Sequence, residues 1–208
     1  MLSAANWGGQ GLHLRGNTEA YVRAASEEKW LEIHGIEHWT EFYTDYGVEL
    51  QRRFLDHFLK GEDNGWDKQP AVQLQVRTLN GFVERHENEW PIARTNWTRM
   101  YLDADKGVLG DRSSTETKVE YSATGDGVSF FSEPLPQDTE VTGPSSMKLF
   151  VSSETVDADI FVVVRVFSPD DSEVVFQGAI DPHTPIGQGW LRASHRKLEE
   201  ELSTEYRP

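Results

Sequence analysis

The chain has 208 residues, 35 acidic against 20 basic side chains, a formal charge of −15 near neutral pH, and no cysteine. That charge repels phosphate backbones and anionic lipid, so nucleic acid and membrane surfaces are excluded as natural partners. The missing cysteines exclude a disulfide framework, a thiolate zinc site and a cysteine nucleophile.

The length suits one domain, or one domain joined to a piece of another. No apolar run approaches the roughly 20 residues of a spanning helix, and no basic-then-apolar leader opens the chain. The compartment stays undecided, with the cytoplasm favoured over secretion.

In chain order, "MLSAANWGG" reads as the tail of a buried strand running into a glycine turn, which is the look of a chain that opens in mid-domain. Asn17 or Thr18 is placed to cap a helix reaching about Glu28, with Glu19 suiting its positive end. "WLEIH" follows, where Leu31 and Ile33 alternate with Glu32 and His34, the period of a strand with one side on a core.

From about Val48 to Lys60 the spacing predicts a second helix, with Leu50, Phe54, Leu55, Phe58 and Leu59 on one stripe and Gly61 placed to stop it. Turn, helix, strand, loop and helix in this order read as the last part of an α/β domain.

"GEDNGWDKQP" breaks the pattern at residues 61–70. Beyond it, "AVQLQVR", "WTRMYL", "MKLFVS", "DIFVVVRVF" and "SEVVFQG" are strand candidates separated by turn residues, the signature of an all-β sandwich or jelly roll. Lys106 to Asp126 is polar and glycine-bearing and is expected to be a long loop. The chain ends on "LSTEYRP" without an evident closing element.

His34 and His38 raise three readings. Their i, i+4 spacing occurs in helical zinc motifs, but such motifs need a glutamate after the first histidine, where this chain has Gly35. Two histidines satisfied by hydrogen bonds at a strand end are the structural alternative. In the third reading His38 is a general base on a loop at the carboxyl end of a sheet strand, where open α/β sheets place ligands.

The third reading fits the last position in the α/β-hydrolase order of serine, acid and histidine. No Gly-x-Ser-x-Gly occurs in the 208 residues, so the nucleophile would lie upstream of Met1.

"WLEIHGIEHWTEFY", "NEWPIARTNWTRMYLD", "EVTGPSSMKLFVSSETVDADIFVVVRVFSPD" and "GWLRASHRKL" occur in order. Over nearly its whole length the chain thereby resembles the second half of the CocE/NonD-type serine hydrolases, the X-Pro dipeptidyl-peptidase and cocaine-esterase family.

The resemblance implies a mainly β chain. Residues 1–64 would be the C-terminal remnant of an α/β-hydrolase domain, and residues 65–208 a C-terminal jelly-roll β-sandwich, incomplete at its end. It implies that His38 is the catalytic histidine, that His34 stands where the family has a small residue, and that Trp7 is in place. Gly9, however, occupies the position of the triad aspartate, and the neighbouring Asn6 offers only a neutral hydrogen bond.

The implied function is acyl transfer from an ester or amide to water by a serine hydrolase of which this chain is the C-terminal fragment, inactive by itself. The implied substrate is a small molecule or peptide, possession of a cofactor or metal is not expected, and homo-oligomer formation is left open. A non-catalytic jelly-roll module binding carbohydrate or protein is the alternative.

Trp39, Phe42, Tyr43 and Tyr46 after His38 are read as packing in preference to an acyl pocket. Trp66, Trp90 and Trp97 are expected to form a seam between the two portions. Asp157, Asp159, Asp170 and Asp171 are read as solvated turn residues in preference to calcium ligands, and His183 and His195 as structural.

Overall fold

The computed structural model describes residues 1–112 and 116–208. Backbone contacts divide it into two units, one of residues 1–93 with 143–208 and one of residues 94–142.

The first unit opens with strand β1 (Leu2–Asn6), then a 3-10 turn at Trp7–Gly9 and a wide π-type turn at Gln10–Leu14 that runs directly into helix α1 (Arg15–Arg23). The helix therefore begins before the expected cap. Asn17 lies inside it and donates from Nδ2 to Ser3 Oγ and Ala4 O, while Thr18 bonds back to Leu14 O and Arg15 O. Ala24, in extended backbone, ends α1 well short of Glu28.

Strand β2 (Trp30–His34) follows, then helices α2 (His38–Tyr43) and α3 (Asp45–Lys60). Glu37 caps α2 and Thr44 caps α3, accepting from Gly47 N at 3.0 Å. Gly61, at φ +71°, closes α3 as the sequence predicts, because the left-handed cap carries a steric cost for any residue with a Cβ. The apolar stripe of α3 is only half used: Leu50 is buried, but Leu55, Phe58 and Leu59 are exposed.

Strands β3 (Val72–Thr78) and β4 (Gly81–Glu87) complete a four-stranded sheet in the order β1-β2-β3-β4. β1 and β3 run parallel to β2, and β4 returns antiparallel to β3. Ala5, Leu31, Ile33, Val72 and Leu74 form one face, and the last four pack with Tyr21 and Val22 of α1 and with Ile92.

The opposite face carries Asn6, Glu32, His34 and Gln73, which are also buried. Alternation in "WLEIH" thus does not separate core from solvent. A central parallel strand is covered on both sides, and here the second cover is made over polar side chains.

Further along this unit, β7 (Asp159–Val164) pairs with β10 (Gly187–Arg192), and β8 (Val166–Phe167) with β9 (Glu173–Val174), all antiparallel. In the second unit β5 (Tyr101–Asp103) and β6 (Val108–Gly110) form a hairpin. β6 lies within the stretch expected to be loop, of which residues 113–115 fall outside the described residues.

Strand outnumbers helix along the chain, but "MKLFVS" joins no ladder, and Phe150 stays 94% exposed. A strand is stabilised by cross-strand pairs, and an apolar run without a partner strand keeps its side chains in water. Among the described residues, no helix is long and apolar enough to cross a membrane.

Candidate active site

His34 ends β2, three residues turn the chain, and His38 opens α2. His38 is therefore the first residue of a short helix at the carboxyl end of a parallel strand and not, as expected, a loop residue. Glu37 holds that helix start by accepting from Trp39 N at 2.8 Å and Thr40 N at 2.7 Å. The hydrogen bond from the Thr40 hydroxyl, with lesser help from these two, keeps the Glu37 carboxyl below its usual range.

The His38 ring is half-buried, and its Nδ1 is shielded from solvent without a hydrogen-bond partner. It packs on Trp39 at 5.0 Å and on His13 at 4.6 Å between ring centres. Burial lowers its affinity for a proton; neighbouring His13 adds to this, Glu37 opposes it, and His34 contributes in the same sense as His13. The result is an imidazole biased toward its neutral, proton-accepting form.

His34 is not the exposed second histidine of a metal pair. Its Nδ1 lies 2.8 Å from Glu32 Oε2, and both side chains are nearly inaccessible. Burial raises the Glu32 carboxyl, opposed by the His34 contact. Glu32 Oε1 is buried without a hydrogen-bond partner, and burial, reinforced by the neighbouring Glu32, pushes the Tyr46 hydroxyl of α3 well above its ordinary range.

His38, Glu32, His34 and Tyr46 border one cavity of about 550 Å³, with Trp39 and Phe42 on its rim. The packing expectation for the aromatic cluster is corrected here. Trp39, Phe42 and Tyr43 are 59%, 52% and 77% exposed, while Tyr46 is half-buried.

At Gly9, where the resemblance implies an acid, the structure leaves little room for a side chain. A Cβ at Gly9 would stand 2.5 Å from Asn6 Oδ1 and 3.4 Å from His13 Cβ. The place a side chain at position 9 would take is thus filled by the Asn6 amide, which is fully buried with neither Oδ1 nor Nδ2 partnered.

Glu32 was missed by the sequence reading, although its i, i+2 relation to His34 puts both on one strand face. His13 gave no local signal, since only the turn after β1 brings it to His38.

Trp7 donates from Nε1 to Gln75 O at 2.7 Å and stacks on Phe176. Trp66 and Trp90 belong to separate groups: Trp66 is enclosed with Trp30 and Phe54, and Trp90 lies against Trp7. Asp157 accepts from Ser194, Asp159 pairs with Arg192, and Asp170 accepts from Ser168. Asp171 sits at a turn with φ +63°. His183 and His195 are exposed. Among the described residues no three acidic or histidine side chains gather as metal ligands.

The family described as the X-Pro dipeptidyl-peptidase C-terminal non-catalytic domain matches residues 64–205. The chain belongs to this family.

Solved structures carry the relation further. A CocE/NonD family hydrolase from Staphylococcus aureus superposes with a TM-score of 0.87 at 31% identity, covering 98% of this chain and 38% of that one. The X-Pro dipeptidyl-peptidase relation extends to sequence relatives. A Mycobacterium bovis protein provisionally named a serine esterase is 26% identical over 187 residues, 75% of this chain and 28% of that protein. A Streptomyces avermitilis protein provisionally named an Xaa-Pro dipeptidyl-peptidase is 26% identical over 167 residues, 68% of this chain and 23% of that protein. The chain thus spans between about a quarter and two-fifths of the length of these CocE/NonD and X-Pro dipeptidyl-peptidase relatives, and it fits the C-terminal part of the hydrolase.

Proposed function

We propose that this chain carries the histidine limb of a serine-hydrolase site, with His38 as the general base that takes the proton of a serine hydroxyl and returns it to the leaving group. The observation that carries this reading is the His38 ring itself, held toward neutrality at the carboxyl end of a parallel strand and bordering an aromatic-rimmed cavity. An ester or amide acyl group suits such a cavity, since its walls are apolar with a few convergent polar groups.

The serine must come from polypeptide outside these 208 residues, because no nucleophile elbow occurs within them. In this reading residues 1–64 close an α/β-hydrolase sheet, and residues from 65 onward are a jelly-roll domain whose first hairpin, β3 with β4, extends that sheet. The shared ladder between β2 and β3 supports that arrangement.

The 208-residue chain alone should hydrolyse neither p-nitrophenyl esters nor X-Pro amides. A longer polypeptide that adds a serine elbow upstream should hydrolyse one of them, and His38→Ala should lower its kcat by about 10²-fold or more. Full turnover in that variant would refute the assignment of His38.

A further inference from the structure

We propose that Gln75 of β3 is a positioning residue for the turn that bears His38: its side chain holds the start of that turn, while its carbonyl holds the turn that leads to His13. The proposal rests on the general-base reading of His38. It gives a part in that site to a residue of the segment whose family is described as non-catalytic.

β2 and β3 share a parallel ladder in which Leu31 N donates to Ala71 O, and the pairing ends at Ile33 with Leu74. The same register, carried on, would bring Gly35 N to the carbonyl of Gln75. That carbonyl is occupied, because it accepts from the Trp7 indole Nε1 at 2.7 Å. Gly35 N donates instead to Gln75 Oε1 at 2.9 Å. Gly35 is buried, so its amide needs a protein acceptor, and the glutamine side chain supplies it.

The two bonds reach both turns that meet at the site. Gly35 opens the turn from His34 to His38, whose far end Glu37 fixes by capping α2. Trp7 opens the turns after β1 that deliver His13. Each turn is thus fastened to the same residue, and the two imidazoles meet with 4.6 Å between ring centres. A general base acts only within hydrogen-bond reach of its proton, so a turn free to shift by about 1 Å loses much of its effect.

A second set of contacts points the same way. A Cβ at Gly35 would collide with the Phe82 ring of β4, so that ring lies directly on the turn. Phe82 stacks on Phe176 at 6.2 Å and Phe176 on Trp7 at 6.0 Å between ring centres, a row that again joins one turn to the other. The turn after β1 is held further along by Gln10 Nε2, which donates to Pro185 O at 2.6 Å. Packing brings the turns close, and the directed bonds to Gln75 fix their register.

The test is amide exchange and proton NMR on the whole 208-residue chain, with turnover measured in a longer polypeptide that adds the serine elbow. In the parent chain the Gly35 amide should be protected, and the ring protons of His13 and His38 should show a mutual nuclear Overhauser effect. Gln75→Met keeps the length of the side chain and removes its amide oxygen. It should speed Gly35 exchange by about 3–10-fold and weaken the ring-to-ring effect, while the Ile33 amide stays protected. Gln75→Glu, which keeps an oxygen at the same reach, should restore both. In the longer enzyme Gln75→Met should lower kcat by about 10-fold with KM unchanged, and Gln75→Glu should recover it.

A Gly35 amide that exchanges freely in the parent chain overturns the proposal without any variant. So do parent-like exchange and ring contact in Gln75→Met, or losses of equal size in Gln75→Glu. Turnover abolished by His38→Ala but unchanged in Gln75→Met sinks this proposal alone, whereas full turnover in His38→Ala sinks the general-base reading beneath it.

Discussion

The imidazole of His13 lies edge-on to that of His38, with 4.6 Å between ring centres and 60° between planes. A neighbouring ring that can carry positive charge opposes protonation of His38, and His13 is the second cause, after burial, of its weakened proton affinity. His13→Ala should therefore raise the His38 midpoint toward its ordinary value. Histidine Cε1 proton shifts followed against pH check this, and a downward shift would contradict it.

The same weakened affinity links stability to pH. The folded chain binds the His38 proton less readily than the unfolded chain, whose midpoint is about 6.5. The contribution is complete above that pH and is lost as pH falls below it toward the lower folded value. Glu32, raised by burial, has the opposite sign: its contribution is complete below the unfolded value of about 4.3 and is lost as pH rises through its folded value. Urea midpoints at pH 7.5 and 5.5, compared between the parent and His38→Gln, should show a smaller acid loss in the variant.

Gly9 has ordinary backbone, with φ −86°, so only space opposes a side chain there. Gly9→Ala should destabilise by about 1–3 kcal/mol through the clash with Asn6 Oδ1. In an Asn6→Ala background that cost should shrink, since the crowding atom is gone. Gly9→Asp in the same background should raise the His38 midpoint, because a carboxylate favours the imidazolium. Thermal melts and the histidine titration read these two outcomes separately.

Trp66 is fully enclosed, at 5.4 Å from the Trp30 ring and 5.2 Å from Phe54, with the Arg53 guanidinium over its face. Trp66→Ala should cost about 3–5 kcal/mol in chemical denaturation, and Trp66→Phe clearly less. A loss under about 1 kcal/mol for Trp66→Ala would show that this aromatic group is not part of the cooperative unit.

Thr44 joins α2 to α3 and caps the longer helix. Thr44→Ala should lower stability by about 1 kcal/mol, while Thr44→Ser should retain most of it. Far-ultraviolet melts of the two variants provide the comparison.

Legibility followed the range of the interactions. The α3 helix and its Gly61 stop, the β2 strand and the break after residue 60 were readable, because period and caps act over a few neighbours. The α1 start was misjudged at Asn17, because its side chain is claimed by Ser3 and Ala4 of a neighbouring strand instead of by its own helix. "MKLFVS" has the composition of a strand and no ladder, which shows that pattern supplies a candidate and pairing decides it.

By itself the sequence determined the acidic charge, the absence of thiol chemistry and of a serine elbow, the family likeness, and a histidine following a strand. Each of these is carried by residue identity or by spacing within one segment. The tertiary structure alone decided that Glu32 and His34 are buried together, that Asn6 fills the space beside Gly9, and that His13 reaches His38. Those relations depend on parallel strand order and on turns between distant segments, and no local period encodes which face of a central strand a later helix will cover.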